Sequence, residues 1–441
     1  LLGLLVDQGV AIPDKLGATG SSYGGVQALQ LAYLKDRIRL PDGSFAPWVS
    51  PAGRPMKLTA AAPMLAWSDA ISVMYPNGRL GAASPPGTKT SRDIVGMRLA
   101  SFFDLVITGS RFLNLMAPLG ADPTADLERW LTFTAKDLAG PAGRKIADDV
   151  YRYHSALAIP GKPAPLLLTQ GWTDGAEPVG QSLAVYNTLR AKDPKAPVWM
   201  TLADFGHFRA TNKRQTVNEI GGRGKRFLAH FLLGEGKLAT PGTVTAYQTV
   251  CSNPQSDGEP FVASSFDELA RGRVVVRLAG KAGTVTSDGG LMEIANAVDP
   301  VGSPLICKKP APIKAEEDTV VLEATVKKPF TYLGRGVVTA KVRATGGSRP
   351  ALFARLWQVV GKKQRLLDRA PYRLEPGQKS VRIELNGNAV RLGKGTRLRL
   401  QLLGRDAPTY EKPDQKYAVT LADVELELPT REKGGELKRR G

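Results

Sequence analysis

The sequence predicts an α/β domain built on a parallel sheet, followed by an all-β sandwich. Three observations carry this. Up to about residue 238, short apolar runs alternate with helical patterns, the rhythm of a parallel sheet with crossover helices. Beyond about residue 240 the helical patterns give way to short strand-like runs separated by Gly, Pro, Asp and Asn turns. At 441 residues the chain is also too long for one small core.

Residues 1–10 read as the end of an amphipathic helix, and 15–19 as a strand. Gly20-Ser21-Ser22-Tyr23-Gly24-Gly25 is a tight turn, after which Val26, Leu29, Tyr33 and Leu34 recur at helical spacing. Residues 58–64, 166–170 and 198–203 read as further strands, and 181–190 and 217–233 as helices. Between about 91 and 160 helical patterns dominate, one of them capped by Asp122 with Pro123 in its first position. In the second part, 243–250, 273–278, 319–325, 337–342, 352–360, 380–385, 397–403 and 418–428 read as strands. Arg397 to Leu402 alternates strictly, as one buried and one wet face require. The expected boundaries are 1–238 for the α/β domain, 239–430 for a jelly-roll sandwich and 431–441 for a charged tail.

Composition narrows the function classes. With 42% hydrophobic and 23% charged residues, the chain belongs with folded proteins. No apolar run approaches the roughly 18 residues of a membrane span. The net charge of +19 is concentrated, since residues 301–400 hold 21 Lys and Arg against 7 Asp and Glu. That surplus would suit nucleic acid, yet the region has neither stacking-type aromatic motifs nor a recognition-helix pattern. It reads as outward strand positions, and no nucleic-acid partner is expected. The three histidines, His154, His207 and His230, form no HExxH or Cys/His cluster, so no metal and no cofactor is expected. Cys251 and Cys307 are either two separate buried thiols or one disulfide. The chain begins Leu1-Leu2-Gly3, without an initiator methionine.

The chemistry concentrates in the first part. Gly20-Ser21-Ser22-Tyr23-Gly24 matches G-x-S-x-G, with a strand before it and a helix after it. Such a turn holds a serine in a strained, exposed position, and small residues let the two backbones approach. A serine nucleophile needs a base and a group that orients the base. Asp174 follows the strand 166–170, and His207 follows the strand 198–203. Both stand at carboxyl ends of parallel strands, where such sheets place their sites, and the order Ser, Asp, His fits. Asp69 is the rival acid; His154 and His230 lie in helical patterns and read as packing or surface residues. Gly221-Gly222-Arg223-Gly224-Lys225-Arg226 lacks the strand and the Ser or Thr of a phosphate loop and reads as a charged helix start.

These residues carry a resemblance. Gly-Ser-Ser-Tyr-Gly-Gly (20–25), Ala60-Ala61-Ala62-Pro63 with Trp67-Ser68-Asp69, Tyr75-Pro76-Asn77-Gly78, Gly171-Trp172-Thr173-Asp174 and Gly206-His207 resemble the X-Pro dipeptidyl-peptidase (S15) and cocaine-esterase-like acyl esterase superfamily. Arg397–Leu403 followed by Gly404-Arg405-Asp406-Ala407-Pro408 resembles its C-terminal jelly roll. The resemblance implies an α/β-hydrolase fold with a helical cap over about 91–160, and a serine hydrolase acting through an acyl-enzyme on peptide or ester bonds. Ser22 would be the nucleophile, His207 the base and Asp174 its partner, with the Tyr23 backbone N–H as one oxyanion donor. With only 21 residues before Ser22, the sheet is expected to lack its N-terminal strands, which would bring the second donor.

For an X-Pro peptidase a cap carboxylate would hold the substrate ammonium, from among Asp104, Asp126, Glu128, Asp148 and Asp149. The cap aromatics Phe102, Phe103, Phe112, Trp130 and Phe133 suggest a lid. Glu177, before Pro178, stands where the family usually carries an aromatic. The resemblance also favours a Cys251–Cys307 disulfide and an extracellular parent protein, a cytoplasmic one making reduced thiols the default. Closing a loop of about 55 residues would stabilise by about 4 kcal/mol on the chain-entropy account. The competing reading is a non-catalytic carbohydrate- or surface-binding protein built on the sandwich.

Overall fold

The structure, a computed structural model, describes residues 1–79, 93–118, 120–121, 127–302, 307, 311–432 and 435–437. The chain opens with α1 (Leu2–Asp7), β1 (Leu16–Ser21) and α2 (Tyr23–Leu34). A small hairpin of β2 (Arg37–Arg39) and β3 (Phe45–Pro47) leads into β4 (Leu58–Met64). Helices α3 (Ala70–Met74), α4 (Ala100–Phe112), α5 (Leu127–Thr132), α6 (Ala135–Ala139) and α7 (Pro141–His154) come before β5 (Leu166–Gly171). Then follow α8 (Gly180–Lys192), β6 (Val198–Ala203), α9 (Arg214–Leu233), β7 (Val244–Ala246) and β8 (Phe261–Ala263).

The strands lie in the order β1-β4-β5-β6-β7-β8, parallel except for β8. Both faces are covered, which is why β5 reads as an unbroken apolar run. Leu166 and Leu168 pack with Val26 and Leu29 of α2 and Leu183 of α8. Leu167 packs on the other face with Trp199 and with Phe227 of α9. Within this sheet β1, β4, β5, β6 and β7 point the same way, so their carboxyl ends, and the loops that follow them, gather along one rim.

The second unit starts with β9 (Gly272–Thr286) and α10 (Met292–Ala297). Then come β10 (Ala311–Pro312), β11 (Val320–Thr325), β12 (Phe330–Gly334), β13 (Val337–Thr345), β14 (Ala351–Val360), β15 (Lys363–Arg373) and β16 (Ser380–Glu384). The unit ends with β17 (Asn388–Leu392), β18 (Arg397–Leu403), β19 (Ala418–Thr430) and β20 (Gly435–Glu436). One sheet runs β10-β15-β14-β18-β11, the other β16-β13-β19-β12-β17 with β9 beside β19. Val338, Leu352, Leu356, Leu400, Val419 and Leu426 meet between them in a shared core.

Four expectations need correction. The strand expected over 243–250 does not open the sandwich. As β7 it pairs in parallel with β6, and β8 joins it, so the first sheet continues to Ala263. The alternating strand 397–403 has no wet face: Arg399 and Gln401 are buried, bonded to Gln364, Glu316 and Trp357. Within the stretch 431–441, Gly435 and Glu436 pair with β9 and Leu437 is buried, because the edge of β9 offers a ladder to complete. Gly221 to Arg226 lies inside α9, which starts at Arg214. The expected cap of Asp122 and Pro123 lies outside the described residues.

Cys251 and Cys307 are joined in a disulfide. It ties the segment after β7 to the turn after α10, so it links the two units and not two strands of one sandwich. Further ties are the Thr249 N–H to Ala389 C=O bond at 2.7 Å and the Arg209 Nη2 to Leu366 C=O bond at 2.9 Å. Among the described residues no helix is long and apolar enough to cross a membrane.

Candidate active site

Ser22 sits between β1 and α2 with φ 58° and ψ −127°, a conformation that costs a non-glycine residue energy. The crowding that forces this turn is visible around it. A Cβ on Gly20 would lie 2.5 Å from the Gly24 carbonyl, and one on Gly25 would lie 2.1 Å from the Met64 oxygen. Gly24 itself has open space, so the second glycine that the turn requires is Gly25. The Ser22 N–H donates to the Met64 carbonyl at 3.1 Å, pinning the elbow to β4. Tyr23 is the first residue of α2, so its N–H belongs to the helix-start amides that lack an intrahelical partner.

The acid and the base lie on the loops after β5 and β6. Asp174 is buried, and its Oδ1 accepts the N–H groups of Ala176 at 2.7 Å and Glu177 at 3.0 Å. Its Oδ2 accepts the His207 backbone N–H at 3.2 Å and lies 2.9 Å from His207 Nδ1. The closeness of the loops depends on Gly206, where a Cβ would stand 2.6 Å from the Asp174 carboxylate. Beneath them Asp204, fully buried, accepts from Thr173 on one loop and from Thr211 on the other. Asn212 clasps Gly206 by two further hydrogen bonds of 2.9 and 2.7 Å.

A second carboxylate completes the group. Glu177 is buried, and its Oε2 also lies 2.9 Å from His207 Nδ1. Burial works against the imidazolium, yet the Nδ1 hydrogen bond to Asp174 and the two nearby carboxylates outweigh it and raise His207 to about 10. Glu177 is itself pushed up to about 7, first by burial and then by the charge of Asp174. These three side chains are the one group of His, Cys, Asp and Glu among the described residues whose donor atoms all lie within 4.8 Å.

The remaining candidates are distributed as follows. His207 Nε2, the nitrogen that a serine hydroxyl would approach, is buried and has no hydrogen-bond partner, so the structure leaves Ser22 and His207 unjoined. Asp69 is a helix cap: its Oδ1 accepts from the Ile71 and Ser72 amides at the start of α3. His154 ends α7 and His230 binds the Gly236 carbonyl from α9, both away from the carboxylates. Of the cap acids, Asp104 pairs with Arg98, Glu128 with Arg111 and Asp149 with Lys145, and Asp126 lies outside the described residues. The cap aromatics split. The Phe102 ring stands edge-on to His207 at 6.3 Å, Phe103 packs into the sandwich core, and Phe112 is exposed. Trp130 and Phe133 are half-buried.

No family model matches the chain, and no curated protein matches it. Solved structures do. The chain is similar to an aminopeptidase from the marine sediment archaeon Thaumarchaeota archaeon, at 15% identity and a TM-score of 0.60 over 97% of this chain and 78% of that one. It is similar to an α-amino acid ester hydrolase, at 13% identity and 0.57 over 95% and 77%. A CocE/NonD family hydrolase from Staphylococcus aureus matches at 14% identity and 0.54 over 94% and 72%. At these identities the likeness is one of fold, and it extends over both the parallel sheet and the sandwich.

Proposed function

We propose that the chain is a serine hydrolase that cleaves peptide or acyl-ester bonds through an acyl-enzyme. The observation that carries this reading is the half-buried His207 bonded to the buried Asp174, on the rim where the strained Ser22 turn ends β1. On this reading Ser22 attacks the acyl carbon and His207 Nε2 takes its proton, while Asp174 holds the tautomer with Nδ1–H toward itself. His207 then protonates the leaving group, and the same nitrogen activates the water that releases the acyl group. The Tyr23 N–H at the head of α2 faces developing negative charge on the substrate oxygen.

The solved relatives of this fold include an aminopeptidase and an ester hydrolase by name, which supports both substrate classes for this chain. Phe102 against His207 supports the helices of 100–154 as a cover over the site. The Cys251–Cys307 bridge supports an oxidising compartment such as the cell exterior. A panel pairing an X-Pro anilide with a short acyl ester tests the reading. The protein should turn over at least one of them, and Ser22→Ala should abolish that turnover. Equal rates for the two proteins would refute it.

A further inference from the structure

We propose that Glu177 is a positioning residue for His207, a second acid that shares the Nδ1–H group with Asp174. Two carboxylate oxygens, Asp174 Oδ2 and Glu177 Oε2, each stand 2.9 Å from the one ring nitrogen, which carries a single proton. In this geometry the bond goes to Asp174, and Glu177 Oε2 is left buried without a hydrogen bond. The two acids are differently held. Asp174 accepts three backbone N–H groups, which stabilise its charge whatever the ring does. The Glu177 carboxylate has only the imidazole. A buried carboxylate with a single donor group is costly when ionised, so its charge is tied to that of the ring.

The surroundings add little compensating charge. From the sandwich, Glu384 and Tyr410 line the small cavity beside Asp174 and Pro178, and Glu384 is paired with Arg335. Arg209, on the loop of His207, turns to the Leu366 carbonyl and lies among Asp204, Asp368, Arg369 and Asp406. The cap presents the apolar Phe102. Glu177 and His207 therefore titrate as one unit beside the charge of Asp174. With both acids ionised the ring is held as imidazolium and cannot accept the serine proton. It becomes a base only when the unit loses a proton, so the onset of activity should lie above the ordinary histidine range.

The inference relies on the serine-hydrolase reading for its kinetic arm alone; a proton titration of the ring does not. With three histidines in the chain, NMR can follow His207 in the full-length protein and in Glu177→Gln. In the parent the ring should titrate well above about 6.5, and in Glu177→Gln the midpoint should fall by about 1–3 pH units. The acidic limb of kcat/KM should move to lower pH by the same amount. Asp174→Asn supplies a second variant: with Glu177 in place the ring should keep part of its raised midpoint. Ordinary titration in the parent, or an unchanged midpoint in Glu177→Gln, would overturn the proposal. So would a full collapse to the ordinary range in Asp174→Asn. A displaced titration without turnover would uphold it and count against the hydrolase reading.

Discussion

Replacing His207 by alanine should lower kcat by about 10⁶-fold, the scale of losing the base from an acyl-transfer relay. His154→Ala and His230→Ala should leave kcat nearly unchanged. The contrast follows from position. His207 alone sits between a strand end and two buried carboxylates, whereas His154 closes α7 and His230 lies on α9 beside Gly236. The effect should fall on kcat, because the imidazole is asked to accept a proton as the bond forms and contributes little to substrate binding. Steady-state kinetics of the three variants decide it. A loss below about tenfold for His207→Ala would be too small for a general base.

The largest expected effect on stability lies in the sandwich, at Asp406. Its Oδ1 accepts Nε and Nη2 of Arg355, and its Oδ2 lies 3.5 Å from Nη1 of Arg369. Arg355 also lies 3.8 Å from Glu316, and Arg369 bonds to Thr409 and to the Val298 carbonyl. Arg355 and Asp406 are each 1% exposed, so solvent cannot replace the lost partner. Asp406→Ala should destabilise the protein by about 3–5 kcal/mol, mainly by leaving buried guanidinium charge uncompensated. Asp149→Ala, which breaks an exposed pair with Lys145, should barely move the midpoint of chemical unfolding. Equal midpoints for the two variants would show that the buried network is dispensable.

This network explains what the sequence concealed. β15, Lys363–Arg373, carries four basic residues and an aspartate, and it shows no apolar alternation. It is nonetheless almost wholly buried, because Arg369 and Arg373 reach counter-charges and carbonyls inside the fold. Propensity and pattern reward apolar strands and pass over one whose burial depends on partners distant in the chain. The same cause spoiled the reading of the basic surplus over 301–400. Part of it lies inside the fold, in Arg355, Arg369, Arg373 and Arg399, and not on a wet face. β12 was missed for a simpler reason: all five of its residues are buried, so it shows no alternation.

The Asp174–His207 contact and the Ser22 turn were both legible in the sequence. Asp174 and His207 could be picked because each follows a wholly buried apolar strand, and the parallel topology brings such strand ends to one rim. The strained turn at Ser22 was legible because the crowding at Gly20 and Gly25 leaves a glycine pattern in the sequence. Glu177 could not be placed. It was visible only as a charged residue before Pro178, and nothing local says that a side chain three residues after Asp174 turns back to the same imidazole. Asp204 was equally silent, since a buried acid serving two threonine-bearing loops looks like any other loop aspartate.

Covalent labelling asks whether Ser22 is a nucleophile activated by His207. The full chain should be treated with a fluorophosphonate, digested, and its peptides mapped by mass spectrometry. A single adduct on Ser22 is expected, one that disappears in His207→Ala while the variant remains folded. An adduct on another serine, or substrate turnover with Ser22 left unmodified, would contradict it.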